Sequence, residues 1–442
     1  MTPAARIQAI LELLDEVDSV ARPADAVVSA WFRAHRAMSD RDRGYVSDQF
    51  YGLLRHHARL GWWLAKHGRP DVPRNRLLAW LVLDGRRTPD QIQALFTGAR
   101  FAPAPLRDHE RALLVKLQGS TLDHPAMPDD VRLECPSWAA GPLHQRFDDA
   151  FGREMAAMLT PPPLDLRVNP LKAERERVLN ALRNLGLKAE ACRMAPFGIR
   201  VRERPALAGL PMLKSGEVEI QDEGSQLVAL LVDARPGERV VDFCAGAGGK
   251  TLAIAAQMQN KGHVIACDVL EGRLKRAAER FRRAGLHNIE TRPLASETDR
   301  WVKRHKFGFD RVLVDAPCSG TGTWRRNPDA RWRTLGPGLD AILPLQASIL
   351  ASAARLVKPG GRLVYATCSL LAEENEAQVE AFLAATPAFR AVPLGEAAPQ
   401  LAGVTPSDFL SLTPARHDTD GFFAAVLQRA PAPSTAPVGQ DG

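Results

Sequence analysis

"RVVDFCAGAGGKT", residues 239–251, joins a short β-branched run ending at Asp242 to three closely spaced glycines and then to a segment of helical periodicity. A strand that turns through glycines into a helix is the first half of a βαβ unit. Such glycines let the backbone approach a ligand, and the free N–H groups of the helix start favour an anionic group there. The stretch is not a P-loop, because that motif needs glycine where Cys244 stands.

Downstream, "HVIACD" (263–268), "FDRVLVDAPC" (309–318) and "GGRLVYATCS" (360–369) repeat the strand pattern, with helical segments between them. That alternation predicts an α/β domain with a parallel sheet covered by helices, and ligands in such sheets bind at the carboxyl ends of the strands. Asp242, Asp268, Asp315, Cys318 and Cys368 all fall on that rim. Asp268, at the end of the second strand, is placed to take ribose hydroxyls. Dinucleotide and S-adenosylmethionine sites share this logic, and the glycine turn alone does not separate them.

The cysteines do. Cys135, Cys192, Cys244, Cys267, Cys318 and Cys368 form no CxxC pair and have no histidine-rich partner stretch, so neither a disulfide framework nor a metal site is expected. Each alone reads as a small buried hydrophobe. Two thiols at neighbouring strand ends, with Asp315 three residues before Cys318, suit a specific chemistry. Carbon 5 of cytosine is a poor nucleophile until a thiolate adds to carbon 6. The carbon-5 proton must then leave and the thiol be expelled, so a second acid/base group is useful. An acid at the base's N3 makes the addition easier.

With these residues in view, the chain resembles the RsmB/Nop2/Sun family of RNA (cytosine-5) methyltransferases. "DFCAGAGGKT" looks like its cofactor loop, and "DAPCSGTG" and "ATCS" look like its two cysteine motifs. "RVNPLK", "QDEGSQLVALLV", "RRNPDARW" and "HDTDGFFAAVLQR" match further signatures in order. The resemblance spans roughly residues 160–430. It implies a Rossmann-like S-adenosylmethionine-dependent methyltransferase domain, with Cys368 as the nucleophile of a covalent cytosine intermediate and Cys318 assisting product release. Asp315 would contact the target base and the cofactor. Cys244, Ala245, Gly246, Ala247, Gly248, Gly249, Lys250, Asp268 and Arg273 would hold S-adenosylmethionine. The chain departs from the family at Ala247, where proline is usual, and in "TRPLASETD", which offers no clear acid for the adenine. Glu373 and Glu374 resemble a catalytic pair but read better as charge in the first turn of the helix after Cys368.

The formal charge of +7 is concentrated: residues 271–333 hold 16 basic against 8 acidic residues. Such clustering suits a polyanion. In "TWRRNPDARWR" tryptophans alternate with arginines, a mixture able to stack on bases and neutralise phosphates. Trp324, Arg325 and Arg326, with Arg167 and Asn169 of "RVNPLK", are the expected RNA contacts. Small-subunit rRNA is the expected substrate; tRNA, or a non-catalytic RNA-binding role in ribosome assembly, are the alternatives.

Residues 1–145 show apolar residues at three- and four-residue steps. Part of this region, "DRDRGYVSDQFYGLLRHHARLGWW", looks like the NusB-like helical domain of bacterial small-subunit rRNA members of the family. There Arg55 and Arg59, one turn apart with His56 nearby, are expected to face phosphates. The expected domains are thus an all-α NusB-like unit (1–145), a small α+β RNA-positioning unit after "TPPPLDLRVNP" (146–215), the methyltransferase domain (216–432) and a disordered tail (433–442). No apolar run is long enough to span a membrane and no secretory signal is evident, so a cytoplasmic monomer without bound metal is expected.

Overall fold

The computed structural model describes residues 1–202, 210–333 and 335–432; the tail expected at 433–442 lies outside them. No helix among the described residues is long and apolar enough to cross a membrane. The chain divides into two compact units, Met1–Pro161 with Thr323–Gly336, and Pro162–Gly322 with Pro337–Gly442.

The first unit is helical. Its opening helix, Pro3–Ser19, is capped by Thr2, whose hydroxyl accepts from Ala5 N, and it buries Ile7, Ile10, Leu13, Leu14 and Val17 along one stripe. Helices Ala24–Ala34, Asp40–Arg55, His57–Lys66 and Pro73–Leu83 add Trp31, Phe50, Trp63 and Leu77 to the same core. The unit runs past the expected boundary at 145 and takes in the distant segment Thr323–Gly336.

The second unit holds two sheets. The smaller comprises β1 (Leu164–Val168), β2 (Ala189–Ala191), β3 (Gly198–Val201) and β4 (Val218–Ile220), all antiparallel in the order β2-β3-β1-β4. Helix Arg175–Asn184 covers it with Val178, Leu179 and Leu182. β4 lies beyond the expected boundary at 215. Buried Arg200 reaches both oxygens of Asp165 at 2.8 Å, Glu223 at 3.3 Å and Asp418 at 3.0 Å, so these acids are joined by an internal cation.

The larger sheet contains β5 (Arg239–Asp242), β6 (His263–Asp268), β7 (Ile289–Pro293), β8 (Phe309–Asp315), β9 (Val357–Thr367), β10 (Phe389–Val392), β11 (Leu410–Leu412) and β12 (Phe422–Arg429). Its order is β7-β6-β5-β8-β9-β12-β10, with β11 paired to β12. β5 to β9 pair in parallel, as the alternating pattern predicts, whereas β10, β11 and β12 run antiparallel. Successive residues feed opposite faces: Val240 and Val264 point into one core, Val241 and Ile265 into the other. From β5 the chain crosses first to β6 and later to β8 on its other side, so the ends of these strands open a crevice.

Candidate active site

The glycine turn after β5 has one geometry available to it. Gly248 has φ +78°, and a Cβ there would lie 2.5 Å from the Phe281 ring, so only glycine lets the helix Gly249–Gln257 start under helix Glu271–Ala284. Gly246 N donates to Asp268 Oδ2 and Leu270 N to Asp268 Oδ1, both at 2.8 Å. The acid that ends β6 therefore shapes the loop as well as facing the crevice.

A cavity of about 620 Å³ opens there. It is lined by Cys318, Cys368, Asp315, Asp268, Arg273 and the turn from Cys244 to Lys250, except Gly248. Four stretches of sequence spread over more than 120 residues thus meet in one cavity. Val269 and Leu270, both largely exposed, and Leu294 give the far end an apolar lining, with Glu297 beside them. Sequence reasoning left that end without a residue, because an apolar platform carries no motif.

Lys250 Nζ meets Asp315 Oδ2 at 2.6 Å. Burial opposes the lysine's charge, but Asp315 and then Cys368 outweigh it and hold its pKa above the ordinary value. Asp242, fully buried, takes a hydrogen bond from Thr251 Oγ1 at 2.7 Å. Its other oxygen has no hydrogen-bond partner among the described residues. Burial pushes this carboxyl up to about 7, and Asp315 adds to the shift.

The two thiols lie 3.4 Å apart, Sγ to Sγ. They are not equivalent. The hydrogen bond with Cys368, then burial, then the charges of Cys368 and Glu374 raise the Cys318 pKa well above the ordinary thiol range. Cys318 keeps its proton, while Cys368 has the Lys250 ammonium in its field.

Glu373 and Glu374 stand in the first turn of a short helix after Cys368, as expected, but Glu374 is not a charge at a solvated helix end. It ends a short turn, Ala372–Glu374, ahead of helix Glu376–Ala385, and is completely buried. Its carboxylate accepts hydrogen bonds from Ser319 and Ser369, the residues following the two cysteines.

The expected RNA contacts are also corrected. Trp324 is fully buried, edge-on to Trp138 at 6.0 Å, with the Arg331 guanidinium 5.1 Å from its ring centre. Arg325 is buried, Arg326 half-buried, and the Arg325 carbonyl accepts from Arg55 at 2.9 Å. Arg331 donates to the carbonyls of Glu134 and Met158. The tryptophan and arginine stretch is therefore interior to the helical unit, where buried guanidiniums satisfy carbonyls. Arg55 and Arg59 present no open phosphate face: Arg55 is buried, and Arg59 is held by Asp123 and the Arg132 carbonyl. His56 is half-buried and stacked on Trp80, and desolvation lowers its pKa to about 4. Arg167 and Asn169 are likewise buried. Arg167 donates to Gln221 and, at 2.7 Å, to the Gly249 carbonyl; Asn169 donates to the carbonyls of Gly216 and Ala284. Both brace the small sheet and the glycine turn.

Known proteins resemble this chain over most of its length. The family described as "16S rRNA methyltransferase RsmB/F" matches residues 229–428, and a "Methyltr_RsmF/B-like, ferredoxin-like domain" matches residues 135–207. A "Probable ribosomal RNA small subunit methyltransferase B" of Synechocystis is 35% identical over 416 residues, covering 89% of this chain and 92% of that protein. "Ribosomal RNA small subunit methyltransferase B" of Yersinia pseudotuberculosis is 31% identical over 432 residues, covering 95% and 96%. Among solved structures, that of a protein designated PH0851 superposes with a TM-score of 0.83 at 26% identity, covering 97% of this chain and 99% of that one.

Proposed function

Since the chain belongs to the RsmB/F family of 16S rRNA methyltransferases, we propose that it is an S-adenosylmethionine-dependent cytosine-5 methyltransferase of small-subunit ribosomal RNA. The observation that carries the reading is a pair of thiols 3.4 Å apart beside Asp315 in one cavity.

The residues fit the cofactor. The cavity of about 620 Å³ is of the size that takes a nucleoside-like molecule. Gly246 has φ +55°, and a Cβ there would meet only Arg273 Nη1, at 3.8 Å, so the turn is open on that side. Asp268 retains lone pairs for ribose hydroxyls, Val269, Leu270 and Leu294 offer apolar surface to the adenine, and Asp315 supplies negative charge. When bound there, the cofactor supplies an electrophilic methyl group.

The chain's own residues prepare the base. Cys368 Sγ, as thiolate, adds to carbon 6 of cytosine. As the thiolate adds, N3 takes a proton from solvent, and the N3–H so formed donates a hydrogen bond to Asp315. Once Cys368 is bonded to carbon, its hydrogen bond and negative charge no longer raise the Cys318 pKa. Cys318 thus gives its own proton to solvent more readily at the stage when the carbon-5 proton needs an acceptor. Departure of that proton to Cys318 expels Cys368 and restores the aromatic ring.

The helical unit and the small sheet are assigned to positioning RNA, and the protein is taken to act as a cytoplasmic monomer. The test is mass spectrometry of 5-methylcytosine in small-subunit rRNA incubated with the purified chain and S-adenosylmethionine. New 5-methylcytosine that vanishes with Cys368→Ala supports the reading. Methylation of tRNA alone, or of neither RNA, would reject it.

A further inference from the structure

We propose that Glu374 is a positioning residue that sets the two thiols in register, an inference that rests on the methyltransferase reading of the same site. Glu374 does not line the cavity and is completely buried. Its Oε1 accepts from Ser319 N at 2.8 Å and Gln346 Nε2 at 3.0 Å; its Oε2 accepts from Ser319 Oγ at 2.5 Å and from Ser369 Oγ. Among the described residues no Lys, Arg or His forms an ion pair with it, so these hydrogen bonds alone hold the charge. A carboxylate buried without a cation persists only where such donors are fixed.

Both serine donors are next to a reacting sulfur. Ser319 follows Cys318 and Ser369 follows Cys368. Gln346 also donates to the carbonyl of Pro317, immediately before Cys318, at 2.9 Å. One carboxylate therefore grips the cysteine loop after β8 on both sides of Cys318 and joins it to the loop after β9. The loops are further closed by Gly322 N donating to the Cys368 carbonyl at 2.9 Å and by the Ser319 and Ser369 hydroxyls at 3.2 Å. The negative charge so placed also helps keep the proton on Cys318. Glu374 thus acts through the sulfurs: it fixes their separation and biases which one carries the proton.

Glu374→Gln keeps the size of the side chain but puts an NH2 group where donors converge, and removes the charge. The first readout is the rate at which diamide, which takes up the two protons and two electrons, joins Cys318 to Cys368, followed by peptide mass spectrometry. This reaction depends on sulfur approach and thiolate fraction and uses neither RNA nor cofactor. The variant is expected to cross-link this pair at least tenfold more slowly, or with its pH profile moved to lower pH, while S-adenosylmethionine affinity stays within twofold. Its kcat for methylation is expected to fall at least tenfold with the KM for RNA unchanged. An unchanged cross-linking rate and pH profile in the folded variant would overturn the proposal. Should Glu374→Gln not fold, Ser369→Ala, which removes one hydroxyl, takes its place, and wild-type cross-linking there overturns it equally. A wild-type chain that cross-links this pair but makes no 5-methylcytosine would reject the methyltransferase reading and leave the sulfur geometry standing.

Discussion

The ammonium of Lys250 lies 2.6 Å from Asp315 Oδ2, tying the first turn of the helix after β5 to the end of β8. Lys250 is buried, and its charge serves two groups at once: it neutralises Asp315 and lies in the field of Cys368.

Lys250→Met is accordingly expected to cost about 1–3 kcal/mol of stability, because Asp315 is left without its partner. The larger effect falls on catalysis: methylation should fall at least a hundredfold, because Asp315 then lacks the cation that fixes it beside the thiols. Unaltered turnover by the folded variant would show that the pair is dispensable.

Cys368→Ala is expected to abolish methylation and any covalent RNA complex. Cys318→Ala should still attack cytosine but release product poorly, since no group 3.4 Å from Cys368 is left to take the carbon-5 proton. Denaturing gels should then retain protein-bound RNA for the Cys318 variant alone. Turnover by the Cys368 variant would reverse the assignment.

Asp268→Ala removes the acceptor of two backbone N–H groups, at Gly246 and Leu270, as well as the ribose contact. Calorimetry should show S-adenosylmethionine binding weakened by about ten- to a hundredfold, the equivalent of about 1–3 kcal/mol for an unsatisfied buried group.

Asp242 sets a pH dependence of stability. Its folded pKa of about 7 stands above the 3.8 of a free aspartate. The folded chain thus holds a proton that the unfolded chain has released, and this contribution is full below about pH 4 and lost as pH rises to 7. Asp242→Asn cannot ionise. Urea midpoints between pH 5 and 7.5 should fall for the wild type more steeply than for the variant.

Trp324→Ala should behave as a core truncation. The side chain is fully buried, so about 3–5 kcal/mol of stability is expected to be lost in the helical unit, with S-adenosylmethionine affinity unchanged. Deleting residues 1–145 has a related consequence: the segment Thr323–Gly336 would lose the unit in which it packs, and the remainder should aggregate. A soluble, cofactor-binding truncation would contradict that packing.

Some of this molecule was legible from local pattern alone. Short apolar, β-branched runs with helical segments between them specify β5, β6, β8 and β9 and the rim on which Asp268, Asp315, Cys318 and Cys368 stand, because a strand buried on both faces is written into neighbouring residues. The glycine turn is legible for the same reason, since Gly248 answers a local backbone need. The role of Glu374 is not: its partners lie at 319, 346 and 369, and nothing in "AEEN" says that a carboxylate is buried between two distant loops. Nor is the fate of Trp324, Arg325 and Arg331. Aromatic and guanidinium groups serve equally to bind RNA or to fill and satisfy a protein interior. Only the tertiary structure, by placing "TWRRNPDARWR" among the helices of residues 1–161, shows that Trp324 packs on Trp138 and that Arg331 donates to the carbonyls of Glu134 and Met158.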